Sequence, residues 1–188
     1  MNFTLTPSQT VGPYFAIGLP WPAGPHAVQP GTPGAFTIRG MVFDGRGDPV
    51  PDHLIETWQA DPDGRYADLH GHGGPSALPG FHGFARCGAE DGDGSFEILT
   101  VKPGRVEDPR GRPQAPHLAV TLMARGMLNR VVTRIYFADE PEANAEDPVL
   151  RRVPPERRGT LLAEPDGEGG YRFDIRIQGP GETVFFAV

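Results

Sequence analysis

Histidine is the side chain through which this 188-residue chain could most readily do chemistry, and six occur: His26, His53, His70, His72, His82 and His117. His70 and His72 are separated by one glycine, and imidazoles two residues apart on an extended strand share a face, as in the beginnings of a metal site. Such sites need three or four ligands in fixed geometry. The surrounding run LHGHGGPS is loop-like and brings no carboxylate or thiolate at a matching spacing, so the pair reads as part of a solvated loop. His117 follows Pro116 and opens an apolar run, which describes a hydrogen-bonded histidine at a strand end. Cys87 stands beside Arg86 without a motif that would make it a nucleophile. GRGDP and GDGS are turn signals, because no helix follows them to make a phosphate loop. Arg125, taken alone, is a surface arginine at a strand end. The residues by themselves therefore give no self-sufficient catalytic constellation.

The elements that must position these groups are strands. FTIRGMVF, the turn DGRGDP and VPDHLIETWQA read as a hairpin-like unit. Residues 60–85 form a long Gly/Pro-rich loop, a length uncommon in compact domains unless it is functional. SFEILTV is a further strand. In HLAVTLMAR both faces are nearly apolar, which predicts a central strand buried on two sides. RVVTRIYFA follows, then EPEANAEDPVLRRV, which predicts a short helix stopped by Pro154-Pro155. YRFDIRI alternates most regularly, with Tyr171, Phe173, Ile175 and Ile177 facing the core. The apolar tail ending Val184-Phe185-Phe186 reads as docked. Residues 1–34 are rich in Pro and Gly, which excludes a helix or a central strand there. They carry Phe3, Tyr14, Phe15 and Trp21, aromatics that an extended arm would bury against its own domain or a partner.

Seven or eight short strands separated by turns predict an all-β fold, a β-sandwich, over residues 35–188. The 26 glycines and 22 prolines, about a quarter of the chain, are aperiodic and lie between apolar runs, as turns do. A net charge of -7 excludes phosphate neutralisation, and with it a nucleic-acid partner. A single cysteine permits no intrachain disulfide and points to a reducing compartment. Neither a signal peptide nor a membrane span is read, so the expectation is a cytoplasmic protein.

Six strings carry a resemblance that extends along almost the whole chain and in order. They are PSQTVGPYF (7–15), LIETWQADPDGRYAD (54–68), DGDGSFEILTVKPG (91–104), APHLAVTLMARG (115–126), TRIYFADE (133–140) and YRFDIRIQGPGETVFF (171–186). Together they resemble the intradiol ring-cleavage dioxygenases, whose fold is a mixed-topology β-sandwich. Within that family they look most like the alpha-type chains that pair with an iron-bearing beta chain. Catalytic chains of the family hold a non-haem Fe(III) with two tyrosines and two histidines, since phenolate oxygens suit a hard ferric ion. By this resemblance His117 matches the first histidine, but Ala119 stands where the second belongs. The tyrosine expected after Lys102-Pro103-Gly104 is replaced by Arg105-Val106, and no tyrosine occurs in the 70–80 loop. One ligand position of four is retained, so the metal is expected on the partner and not on this chain.

The resemblance further implies that the N-terminal segment, through Thr10, Gly12, Pro13 and Tyr14, packs on the partner and lines its substrate pocket. Arg125 would reach the same pocket, where a guanidinium complements a ring carboxylate. The implied activity is O2-dependent opening of protocatechuate between its hydroxylated carbons, giving 3-carboxy-cis,cis-muconate, in a large symmetric hetero-oligomer. Three other readings are a stand-alone, inactive β-sandwich binding module, a metalloenzyme built on His70, His72 and His117, and a homodimer of the catechol 1,2-dioxygenase kind. The last is disfavoured because such chains carry their own ligands.

Overall fold

The structure, a computed structural model, describes residues 5–67, 76, 78–89 and 92–187. Its strands are β1 (Ala35–Phe43), β2 (His53–Trp58), β3 (Phe84–Gly88), β4 (Ser95–Val101), β5 (Val106–Glu107), β6 (Pro113–Gln114), β7 (His117–Ala124), β8 (Val131–Phe137), β9 (Leu162–Pro165), β10 (Tyr171–Arg172) and β11 (Ile175–Arg176). Helical segments are α1 (Phe15–Gly18), α2 (Pro141–Glu146) and two 3-10 turns, Leu150–Arg152 and Pro155–Leu161. The fold is all-β. β3, β2, β7, β8, β9, β10, β1 and β11 lie side by side in that order, and β4 joins the other edge of β1. β1 runs parallel to β10 and β11, and β8 parallel to β9, so the topology is mixed.

This sheet nearly closes around one core in which Ile38, Val42, Ile55, Phe96, Ile98, Leu118, Leu122, Ile135 and Phe137 meet. Residues 24–28 complete the closure. The Arg86 amide of β3 donates to Gly24, and Leu99 of β4 exchanges hydrogen bonds with Pro25 and Ala27, while Ala27 and Val28 are fully buried. Part of the Pro/Gly-rich N-terminal segment is thus built into the sandwich.

Several expectations need correction. β1 and β2 do not pair: β1 lies between β4 and β10/β11, and β2 between β3 and β7. The Asp44–Asp48 turn does reverse the chain, and Val50 still donates to Val42. Pro49 and Pro51 then supply no N–H to extend a ladder, and the chain crosses to the other side of the core.

β7 is not buried on two sides. Leu118, Val120 and Leu122 face the core, whereas Ala119, Thr121 and Met123 are half-exposed. YRFDIRI keeps its inward alternation but is two short pieces, β10 and β11. Between them Asp174 Oδ1 takes the Met41 amide, replacing a backbone carbonyl in the ladder with β1. Phe15–Gly18 is one helical turn within the arm, accommodated in the proline-free interval between Pro13 and Pro20. The expected helix is α2, but Pro155 begins a 3-10 turn instead of stopping helical structure, in keeping with proline's place in a first turn.

The outer face of the β3–β2–β7–β8 sheet is covered at its two ends. Near α1, Ala16 and Pro20 lie against Gly88. At the other end a second cluster (Ala115, Tyr136, Ala143, Leu150, Val153, Leu161) seats α2 and the 3-10 turns. Between these covers Trp21 stacks on Phe84 and Tyr66 on Trp58.

Candidate site at the arm and the β7–β8 turn

The β7–β8 connection turns at Gly126, whose φ of +87° suits a residue without Cβ. Its amide donates to Thr10 Oγ1 at 2.9 Å, and the same oxygen accepts the Gly12 amide at 3.4 Å. One hydroxyl therefore moors the arm to the turn and shapes the arm's own bend. Beside it, Arg125 Nε meets Asp52 Oδ2 at 2.9 Å. The aspartate is mostly buried, while the guanidinium side chain is 61% exposed. Arg125 is thus oriented at its stem by Asp52 and open to a further anion at its tip.

Of the residues singled out from the sequence, Thr10, Gly12 and Arg125 come together here. Pro13 and Tyr14 continue the arm outward into α1. Tyr14 (81% exposed), Ile17 (79%) and Val11 (51%) are apolar surface that nothing in this chain covers among the described residues. Sequence reasoning missed Met127, Leu128 and Arg130, which with Val11, Met123, Ala124 and Asn129 line a depression of about 260 Å³ beside the moored arm. The run GMLNR in a connecting turn, with two large apolar residues where turns favour small polar ones, was the available signal. His70 and His72 lie outside the described residues.

The residues at the implied ligand position do not fit a ferric ion. His117 is buried, its Nδ1 is 2.7 Å from the Ala115 carbonyl, and its ring packs on Tyr136 at 5.5 Å. Desolvation first, and then the nearby Arg134 cation, hold its pKa down at about 4. The next side chain on the same face is the Ala119 methyl, and directly across from Ala119 stands Arg134. A methyl group thus stands where a donor would be required, and the fixed positive charge of Arg134 on the neighbouring strand opposes a metal cation. Tyr136 offers no phenolate: burial pushes its pKa up, and its hydroxyl donates to Asp147.

Comparison with known proteins gives three kinds of relative. The family model described as Dioxygenase matches residues 11–179. The protocatechuate 3,4-dioxygenase alpha chain of Burkholderia cepacia is 47% identical over 203 residues, covering 97% of each chain. The protocatechuate 3,4-dioxygenase beta chain of the same organism is 34% identical over 159 residues, covering 79% of this chain and 66% of that one. Among solved structures, the dioxygenase domain of a dioxygenase–carbohydrate-binding fusion from Streptomyces sp. SirexAA-E superposes with a TM-score of 0.60. It is 28% identical and covers 93% of this chain and 99% of that chain.

Proposed function

The chain belongs to the intradiol dioxygenase family, and from that premise we propose that it is the alpha, iron-free subunit of a protocatechuate 3,4-dioxygenase. The observation that carries this reading is the combination of 47% identity along the whole chain with a methyl group, Ala119, at the position of a ligand. Relatives of both the alpha and the beta kind support a hetero-oligomer. Non-haem Fe(III) is assigned to the partner beta chain, and the assembly to the cytoplasm.

In this reading the chain contributes shape and charge. The arm, moored through Thr10, presents Gly12, Pro13 and Tyr14 to the pocket of the beta chain. Arg125 supplies a guanidinium for the carboxylate of protocatechuate, and its existing ion pair with Asp52 limits the rotamer freedom lost on binding. The exposed Val11, Tyr14, Ile17 and Leu128 support a protein partner at this face, since apolar surface of this kind marks interaction sites. Ring opening breaks the carbon–carbon bond between the hydroxylated carbons, and both atoms of O2 enter the product.

The test is iron content and protocatechuate-dependent O2 uptake for the chain alone and co-expressed with a beta-type chain. Little iron and no turnover alone, with an active iron-containing complex on co-expression, is the expected result. Stoichiometric iron and turnover in the isolated chain would overturn the proposal.

A further inference from the structure

We propose that the depression between the β5–β6 hairpin and the 3-10 turn Leu150–Arg152 is an anion site. It takes a compact oxyanion of two or more charges, a polycarboxylate or a phosphate, between Arg112 on one wall and Arg151 and Arg152 on the other. The site goes beyond the proposed function, because it shares no residue with the arm or the β7–β8 turn and lies at the other end of the sheet. β7 begins three residues after β6 and ends just before Arg125, and its eight residues span roughly 25 Å.

One buried carboxylate builds both walls. Asp147 Oδ2 accepts the Ala115 amide at 2.9 Å, where the chain leaves β6. Its Oδ1 accepts the Val149 and Leu150 amides at 2.8 Å, where the 3-10 turn begins. The Asp147 carbonyl takes the Arg151 amide as well. Asp147 is fully buried, and Pro113 and Pro148 stiffen the two rims, so the spacing of the walls is set before a ligand arrives. The depression between them has a volume of about 520 Å³, within the roughly 300–1,000 Å³ usual for small-molecule sites.

Charge decides what fits. Glu146, the one carboxylate in the lining, is paired with Arg105 at 2.7 Å. Asp108 accepts Arg112 Nε at 2.8 Å and lies 2.6 Å from its Nη2, which leaves Arg112 Nη1 without an acceptor among the described residues. Arg151 and Arg152 are exposed, and among the described residues neither has a carboxylate within ion-pair distance. Arg39, Arg86, Arg125, Arg157 and Arg172, by contrast, are each paired with an acid. The chain as a whole carries a charge of -7, so this local surplus of arginine is not the by-product of a basic protein. An anion that reaches both walls must offer acceptor oxygens in two directions and charge enough for more than one guanidinium. Phosphate and the di- and tricarboxylates have that form, and a monocarboxylate does not.

The experiment is calorimetric titration of the full chain, without a partner, with citrate, with inorganic phosphate, and with acetate as the monocarboxylate control. Salt at about 0.15 M screens diffuse attraction beyond about 8 Å. Citrate or phosphate should bind at one site per chain, at least tenfold tighter than acetate, and the tighter of the two identifies the source of the anion. The double substitution Arg151→Gln, Arg152→Gln removes the charge of one wall at exposed positions and should weaken binding at least tenfold. Arg46→Gln, an exposed arginine beyond the far end of β1, should not. Glu146→Gln removes the lining carboxylate and should tighten binding about threefold, which keeps the test open if the double variant does not fold. No binding to the wild-type chain, equal affinity for acetate, or wild-type affinity in the double variant or in Glu146→Gln overturns the proposal. The readout uses no partner, iron or turnover, so its failure is distinct from failure of the co-expression assay.

Discussion

Thr10 Oγ1 accepts the Gly126 amide across 116 residues of sequence, and this bond places the N-terminal arm beside Arg125. Gly126 is exposed, so its amide can turn to water when the acceptor is lost, and the net cost to stability is about 1 kcal/mol or less. The arm, by contrast, loses its mooring. Thr10→Val should leave the melting temperature within a few degrees while making the segment 5–14 cleave faster in limited proteolysis. Thr10→Ser, which keeps the hydroxyl, should restore protection. Equal cleavage rates for all three chains would show that the bond does not order the arm.

Arg125 invites a separation of structural from functional effect. Its pair with Asp52 is surface-exposed on the arginine side, and such pairs contribute roughly 0–1 kcal/mol. Arg125→Gln should therefore melt close to wild type. In the co-expressed assembly the same change should raise KM for protocatechuate about tenfold, the loss of roughly one charge-assisted hydrogen bond. Its effect on kcat should be smaller, because the ring carboxylate is remote from the carbons that react. Unchanged KM, or a fall in kcat alone, would remove Arg125 from carboxylate recognition.

Gly40 sits in β1 against the backbone of Phe173, which joins β10 to β11. A Cβ built there would overlap the Phe173 carbonyl and press on the Phe96 ring. The Phe173 amide meanwhile donates to Arg39, so the carbonyl cannot move away without breaking the ladder. Gly40→Ala should cost ~3 kcal/mol or more by overpacking, read as a lower denaturation midpoint. A midpoint within error of wild type would mean that β10 shifts freely past β1.

How much of this was legible beforehand follows from the range of the forces involved. Strand alternation is local, so β4, β7 and β8 could be read within a residue or two from SFEILTV, HLAVTLMAR and RVVTRIYFA. Pairing is not local. The turn at Asp44–Asp48 looks like a hairpin because its Gly and Asp residues are turn formers, yet Pro49 and Pro51 send β2 to a different neighbour. The inward set Tyr171, Phe173 and Ile175 was visible by period, but the substitution of Asp174 for a ladder carbonyl depends on where β1 lies. At the site, Thr10, Gly12 and Arg125 were named by resemblance, and their meeting rests on a single side-chain bond that no pattern encodes. Arg134 was not singled out at all. Its hydrogen bonds to Gln114 and Tyr136 become visible only once the chain is folded.

His117 supplies a pH test in which the sign can be stated in advance. Burial is the largest influence on the ring, and the Arg134 cation is the next, and both favour the neutral imidazole; the Ala115 carbonyl and Asp147 oppose them more weakly. Its folded pKa of about 4 lies below the ordinary 6.5. Between those values the unfolded chain binds a proton that the folded chain refuses, so stability rises with pH across that window and is lost as pH falls through it. His53, buried with its pKa also held down mainly by desolvation, acts in the same direction. Asp44, Asp93 and Asp166, whose pKa values are lowered from 3.8, lose their contribution below that pH, under the histidine window. Urea midpoints measured from pH 7 to pH 4 should therefore fall steadily. His117→Asn should flatten the slope by up to ~3 kcal/mol across the window, while lowering stability at pH 7 where the imidazole is well packed. A slope in His117→Asn as steep as in wild type would show that the ring titrates freely in the folded chain and that Arg134 does not act on it.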